Sequence, residues 1–483
     1  MKLTKLFFVM ALIAILTVGC KKNDDDDVLT SPSPPPPVNG LVGDYVDNYS
    51  GAHTISASHW LNGNLGFTIT KINSSDKYLI AKNDSSNAYN ADKYSRFDWV
   101  TDSTGDLYYC QSAYDKDDAA AAAAVDTADS TSPSTTGCGD FAWNQLTEFD
   151  EVAGEYTDNW SGSHTVSATR WQNGTSGYAI TKIKPDDDYF VAQNDATNTY
   201  GASKYSRFDW TEDSSGNLYY CQTAYDEDSA ADAEAVDTTD NSDPTSSGCG
   251  GFAWTQLTAF SEITGNFTDD WSGTHLVSAT RWLMGTSGFS VTKINSTSDY
   301  FVAQNDSGNS YNADKYSRFD WAKDANNDLY YCQSAYDEDD AAAAEAVDTA
   351  DSSDLTGTGC NGFAWTKLAP FSEAIGEFTD DYSYPHSISA ARWVNGTNGY
   401  TITKINTSDD YYIAQNDAGN AYNPSKYSRF DWAEDSNGDL YYCQTAYDKD
   451  DATAAEAVET ADSSELTEAG CSGFAWSKLA TYP

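Results

Sequence analysis

His164-Thr-Val-Ser-Ala-Thr-Arg-Trp171, the turn Asn173-Gly174 and Gly177-Tyr-Ala-Ile-Thr-Lys-Ile183 decide the fold class of this chain. Polar and apolar side chains alternate in both runs, which is the period of a strand with one buried face. Asn-Gly is the favoured two-residue hairpin turn because both residues tolerate positive φ. An antiparallel pair is therefore expected. Further strands are expected at 189–195, 204–210 and 218–226, separated by polar turns at 186–188 and 213–216. Residues 226–237 are acidic and Ala-rich. Ala is the best helix former and Asp suits a helix start, so one short helix is expected there. A last strand is expected at 252–257, giving about seven strands and one helix.

Outward from this stretch, the same pattern is written four times. Cys110, Cys221, Cys332 and Cys443 stand 111 positions apart, as do His53, His164, His275 and His386. The chain thus divides into a leader at 1–20, a tether at 21–40, and modules at 41–151, 152–262, 263–373 and 374–483. The expected class is mainly β: four tandem small antiparallel β-barrel or sandwich modules, each with one short Ala/Asp-rich helix and one disulfide. The opening Gly154-Glu-Tyr156 and the meander order resemble the calycin barrels, a family that includes lipocalin- and avidin-like proteins. The repeats also look like tandem modules of uncharacterised exported bacterial proteins. Neither resemblance implies a ligand.

Lys2 and Lys5 precede an apolar run at 6–18, of signal-peptide length. It ends in Leu16-Thr-Val-Gly-Cys20, which resembles the lipobox of bacterial lipoproteins. That resemblance implies a lipid on Cys20, attachment to a membrane through it, and an exported, outer-membrane or cell-surface location. Residues 21–40 hold Asp24 to Asp27 and five prolines, a composition that cannot bury a core. Fully extended, a tether of this kind reaches roughly 60 Å.

Nine cysteines are one at Cys20 plus two per module. No C-x-x-C and no His/Cys spacing of a zinc site occurs. In an exported chain the simple pairing is within modules: Cys110 with Cys138, Cys221 with Cys249, Cys332 with Cys360, and Cys443 with Cys471.

The formal charge of −47 makes nucleic acid a poor partner. It leaves two uses for the acids, solubility or loosely held divalent cations such as calcium. No resident cofactor is expected. Turns such as Asp102-Ser-Thr-Gly-Asp106 lack the downstream Glu of a calcium loop and read as hairpin turns. The oligomeric state is not readable.

No nucleophile signature surrounds the His that recurs in every module, His53, His164, His275 and His386. The positions kept in all four copies instead suggest a binding site. In Lys93-Tyr-Ser-Arg-Phe-Asp-Trp99, strand alternation puts Lys93, Ser95, Phe97 and Trp99 on one face and Tyr94, Arg96 and Asp98 on the other. One reading is an Arg–Asp pair that serves the fold. The other is a ligand site of amides, a carboxylate and an exposed aromatic, groups suited to sugar hydroxyls and CH faces. Its residues in the first module are Asn83, Arg96, Asp98, Gln111 and Tyr114. In the second they are Asn194, Arg207, Asp209, Gln222 and Tyr225. The third has Asn305, Arg318, Asp320, Gln333 and Tyr336, and the fourth Asn416, Arg429, Asp431, Gln444 and Tyr447.

Four equal modules favour multivalent binding of a glycan or surface polymer, in adhesion or capture, because repetition converts weak contacts into avidity. The alternatives are a structural spacer or envelope component with cation-associated acidic faces, and a carboxylate-dependent glycan hydrolase. An enzyme is not the expected class.

Overall fold

In the computed structural model the structure describes residues 40–482. Cys20, the leader and all of the tether but Gly40 lie outside them. The first module has strands β1 (Gly43–Asp47), β2 (Ala52–Ile55), β3 (His59–Asn62), β4 (Leu65–Asn73), β5 (Tyr78–Asn83), β6 (Tyr94–Thr101), β7 (Leu107–Lys116) and β8 (Asn144–Glu148), with helix α1 (Ala119–Ala123) between the last two. Each strand pairs with the next, and β8 pairs back with β1, so the sheet closes into an eight-stranded antiparallel barrel. The other three modules repeat it. Full closure leaves the barrel without a free sheet edge.

The architecture is a barrel rather than a sandwich, and each module holds one strand more than expected. The run from His164 to Trp171 is two strands, Ser163–Val166 and Arg170–Asn173. The chain bends at 167–169, where Ser167 N donates to Arg170 O at 2.8 Å. Alternation continues across the bend, so periodicity alone does not reveal it. The second-module helix is shorter than expected, Ala230–Glu234, because Asp226 and Glu227 still belong to the preceding strand. The final strand begins late, at Thr255, and leaves Phe252 exposed outside the sheet.

Aromatic rings fill the barrel. Trp60 stacks on Phe97 with centroids 4.5 Å apart, and Tyr109 meets Trp60 edge-on. His53 lies inside as well. Its Nδ1 accepts from Trp60 Nε1, a group that can only donate, so the ring proton sits on Nε2 and faces Asp47 Oδ2 at 3.2 Å. Asp47 Oδ1 in turn accepts from the N–H groups of Tyr49 and Gly51 and shapes the β1–β2 turn. The histidine thus joins core to turn.

The outer wall of β5, β6 and β7 is covered twice. The helix packs on it in one place, through Tyr189, Val191, Ala224 and Ala233 in the second module. The disulfide loop covers the rest, with Tyr219, Cys221 and Trp254 in contact. All four disulfides form within modules, each closing 28 residues. A closure of that length is worth roughly 3–4 kcal/mol in a chain-entropy account. Gly248 must be glycine, since a Cβ there would stand 2.1 Å from Asp240 O and 2.6 Å from Trp254 Nε1.

The modules close into a ring. Ser50 O accepts from Ile183 N of the second module at 2.9 Å, Ser161 O from Ile294 N at 2.8 Å, and Ser272 O from Ile405 N at 3.1 Å. The fourth junction is the same bond, Ser383 O from Ile72 N at 3.0 Å, and it returns to the first module. Each serine has positive φ, between 63° and 71°, which aims its carbonyl at the next barrel. A carboxylate supports three of the junctions. Asp44 accepts from Ala168 N, Glu155 from Ala279 N and Glu377 from Ala57 N, while Asn266 does this at the third.

Every barrel is also sealed by an aromatic from the preceding module. Phe149 lies in the second core, Phe260 in the third and Phe371 in the fourth. The first core receives Tyr482. The four barrels are one closed assembly and not beads on a line.

Candidate functional site

The kept residues fall into two groups on opposite sides of the barrel wall. Arg96 and Asp98 face outward, under the helix. Arg96 Nε and Nη2 both reach Asp98, at 3.0 and 2.7 Å, and Nη1 donates to Ala123 O, the last residue of α1. The guanidinium lies 4.0 Å from the centre of the Tyr78 ring. Ser112 Oγ donates to Asp98 Oδ2 at 2.5 Å. The same bonds join Arg207, Asp209 and Glu234 O, then Arg318, Asp320 and Glu345 O, and finally Arg429, Asp431 and Glu456 O. Burial pushes the carboxyls of Asp209, Asp320 and Asp431 upward, and the hydrogen bonds from the neighbouring arginine and hydroxyl oppose it. A buried guanidinium bonded to a carboxylate, a helix end and a ring face has its main donors committed. Its work here is to fasten the helix to the barrel.

In the fourth module this pair lies at the wall of a cleft of about 530 Å³, with Asp409, Asp410, Glu459 and Trp476 around it. Three of the cleft carboxylates are engaged. Asp431 holds Arg429 and Thr445, Glu456 holds Lys404 and Tyr411, and Asp409 accepts from Asn406. Among the described residues no group of three or more His, Cys, Asp or Glu is placed to hold a metal ion. The turn at Asp102 is a closed Asx turn, with Thr104 N and Asp106 N donating to Asp102 Oδ1.

Asn83 and Gln111 belong to the inner group. Gln111 Nε2 donates to Ser95 Oγ at 3.1 Å, and Ser95 Oγ donates to Asn83 Oδ1 at 2.6 Å. Asn83 Nδ2 then donates to two backbone carbonyls, Asn90 O at 2.8 Å and Tyr114 O at 3.1 Å. This amide therefore pins the loop after β5 to the end of β7. The chain of bonds recurs as Gln222–Ser206–Asn194, Gln333–Ser317–Asn305 and Gln444–Ser428–Asn416. At Gly201, the second module's counterpart of Asn90, a Cβ would fall 2.5 Å from Tyr225 O, so the two segments touch backbone to backbone.

Each pinned segment carries an exposed tyrosine. Tyr114, Tyr225, Tyr336 and Tyr447 are between 53% and 58% exposed. On the loop that the same asparagine holds, Tyr89, Tyr200, Tyr311 and Tyr422 are between 78% and 87% exposed. Two further aromatics per module reach solvent. One is at the tip of the junction turn (Tyr49, Trp160, Trp271 and Tyr382), and the other is on the disulfide loop (Phe141, Phe252, Phe363 and Phe474). Large rings normally go inside, so four exposed ones at matched positions in every module are an unusual surface feature.

The sequence reading thus grouped residues that the structure separates. Asn83, Gln111 and Tyr114 share one network, whereas Arg96 and Asp98 lie across the wall from it. It also left out Ser95, the link between the two amides, and Tyr89. The signal for Tyr89 was present, since that tyrosine returns at the repeat spacing in all copies. Compared with known proteins, the chain matches no family model and no curated protein.

Proposed function

We propose that the ring is a multivalent binding head that takes a glycan or surface polymer on its exposed tyrosines. The observation that carries this reading is the Tyr89–Tyr114 platform, present four times and held each time by one buried asparagine. Tyrosine faces suit the CH faces of sugar rings, and a stiff backbone beneath them lowers the entropy lost on binding. Closure into a ring adds a second argument. Four equal sites fixed on one body can engage one polymer together, and avidity can then exceed single-site affinity by about 10²–10⁴.

This reading extends to the rest of the chain. The lipobox-like segment at 16–20 would fix the head to a membrane, and the Pro-rich tether would hold it away from the surface. The protein would act there in adhesion or capture. The ring favours a compact head over an extended spacer, because its fourth junction returns to the first module.

The test is glycan-array binding by the intact protein, alongside the variant Tyr114→Ala/Tyr225→Ala/Tyr336→Ala/Tyr447→Ala. Binding to at least one glycan class that falls by about tenfold or more in the variant supports the proposal. An intact protein that binds no glycan overturns it.

A further inference from the structure

We infer that the tyrosine platforms select a cationic glycan, a polymer of amino sugars with free amines, over neutral or acidic ones. This rests on the platform reading above and names its ligand class.

The argument is the charge that adjoins each platform. Tyr336 is followed at once by Asp337-Glu338-Asp339-Asp340, and Tyr225 by Asp226-Glu227-Asp228. Tyr114 opens Asp115-Lys116-Asp117-Asp118, and Tyr447 opens Asp448-Lys449-Asp450-Asp451. One acid in each run is matched by the lysine just before the neighbouring strand: Asp117 by Lys93, Asp228 by Lys204, Asp339 by Lys315 and Asp450 by Lys426. The paired acids are still between 84% and 87% exposed at the side chain, so these are surface pairs that water and a competing cation can reach. In the third module Asp337 is left exposed next to Tyr336, whereas Asp340, also exposed, caps the helix by accepting from Ala343 N at 2.8 Å.

An ammonium group is drawn to such a place twice. The face of a tyrosine ring attracts a cation with about 0.5–1 kcal/mol at an exposed site. Carboxylates within the screening distance of about 8–10 Å add to it. A uronate or sulfate meets the same carboxylates as repulsion. A neutral sugar is left with the ring face alone. The platforms are also graded. The third carries four acids against one lysine, and the first and fourth carry three acids against two. The third site should therefore bind a polyamine sugar most tightly.

The experiment uses the full chain and two hexasaccharides that differ only at the C2 amine, de-N-acetylated and N-acetylated glucosamine hexamers. Titration calorimetry is run at mildly acid pH, where the amines are protonated and the carboxylates remain ionised, in low and in high salt. The expected result is binding of the free-amine hexamer about tenfold or more tighter than the acetylated one. That preference shrinks as salt rises, and Tyr336→Ala weakens it more than Tyr447→Ala does. Equal, salt-insensitive affinity for both hexamers overturns the cationic selection and leaves the glycan reading standing. No binding of either hexamer by the folded protein overturns the cationic selection; the glycan array decides the broader reading separately. Polylysine bound as tightly as the amine hexamer, with no loss in the four-tyrosine variant, identifies a plain acidic surface and overturns this inference.

Discussion

Tyr482 and Leu41, from opposite ends of the described chain, are packed in the same hydrophobic core, that of the first barrel. In the second barrel the equivalent residues are Phe149 and Val152, which lie three positions apart on one continuous segment. The third and fourth barrels use Phe260 with Ile263 and Phe371 with Ala374. The ring therefore has one seam, and two chain segments do there what a single linker does elsewhere. An aromatic plug supplied by the preceding module makes each barrel depend on its neighbour. Part of each barrel's core is thus supplied by the ring.

The plug at the seam is testable by two substitutions with opposite outcomes. Tyr482 is 4% exposed, and among the described residues its hydroxyl has no hydrogen-bond partner. Tyr482→Phe removes that unpaired group and restores the residue found at the other three junctions. It should leave stability unchanged or raise it, by up to about 1–3 kcal/mol. Tyr482→Ala removes a large buried ring and should cost about 3–5 kcal/mol. Thermal unfolding followed by tryptophan fluorescence checks both. A Phe variant that melts well below the parent would contradict the account of the plug.

The junction carboxylates give a pH dependence whose sign follows from their burial. Burial pushes the carboxyls of Asp44, Glu155 and Glu377 upward, against the hydrogen bonds from Thr54, Thr165 and Ser387 and from the facing backbone N–H. A group raised on folding stabilises while protonated. Its contribution is fully present below the unfolded values of 3.8 for Asp and 4.5 for Glu, and is lost as pH rises through the folded value. The variant Asp44→Asn/Glu155→Gln/Glu377→Gln should therefore gain on the parent as pH rises from about 4 to about 7. Melting temperature of both proteins across that range is the measurement. Asn266 already plays the uncharged part at the third junction, accepted there without loss of the bond to Ala390 N.

What the sequence made legible follows from range. The turn at Asn173-Gly174 is local, and it falls where it was read, between Arg170–Asn173 and Ser176–Lys184. The face alternation of 93–99 is local too, and it placed Phe97 and Trp99 inside and Arg96 and Asp98 outside. Cysteine pairing was legible from spacing and count. Ring closure was not, because nothing near Tyr482 reveals which barrel it enters. The site was half legible for a related reason. Asn83 and Arg96 are equally well kept among the copies, but a list of kept residues does not say which side of the wall each faces. The network needed Ser95 to connect it.

The histidine of each of the first three modules is hydrogen-bonded at both ring nitrogens as a structural link, and removing it should show this. In the third module His275 Nδ1 accepts from Trp282 Nε1 at 3.1 Å, and Nε2 meets Asp269 Oδ2 at 3.1 Å. Burial alone would raise the Asp269 carboxyl. The hydrogen bonds from His275 and from the turn at Gly273 and Trp271 outweigh it and hold it below its ordinary value. His275→Leu strands a buried donor and a half-buried carboxylate together. The cost should be about 2–6 kcal/mol, from two unmet partners at about 1–3 kcal/mol each. His275→Gln offers an acceptor and a donor and should recover part of that loss. Equal stability of the Leu variant and the parent would refute the link.

The Arg–Asp pair under the helix separates a fold role from a ligand role. Arg207→Met leaves Asp209 as an unpaired buried carboxylate and releases Glu234 O at the helix end. Breaking such a pair from one side typically costs about 3–5 kcal/mol. Arg207→Met with Asp209→Leu removes both charges, and replacement of a buried pair by apolar side chains is often neutral or better. The double variant should therefore be more stable than the single one, at pH 7 and by chemical unfolding. If the pair serves the fold, the double variant also keeps full affinity for whatever glycan the intact ring binds. A double variant that folds like the parent and has lost binding at the second module would move Arg207 and Asp209 from the scaffold to the ligand site.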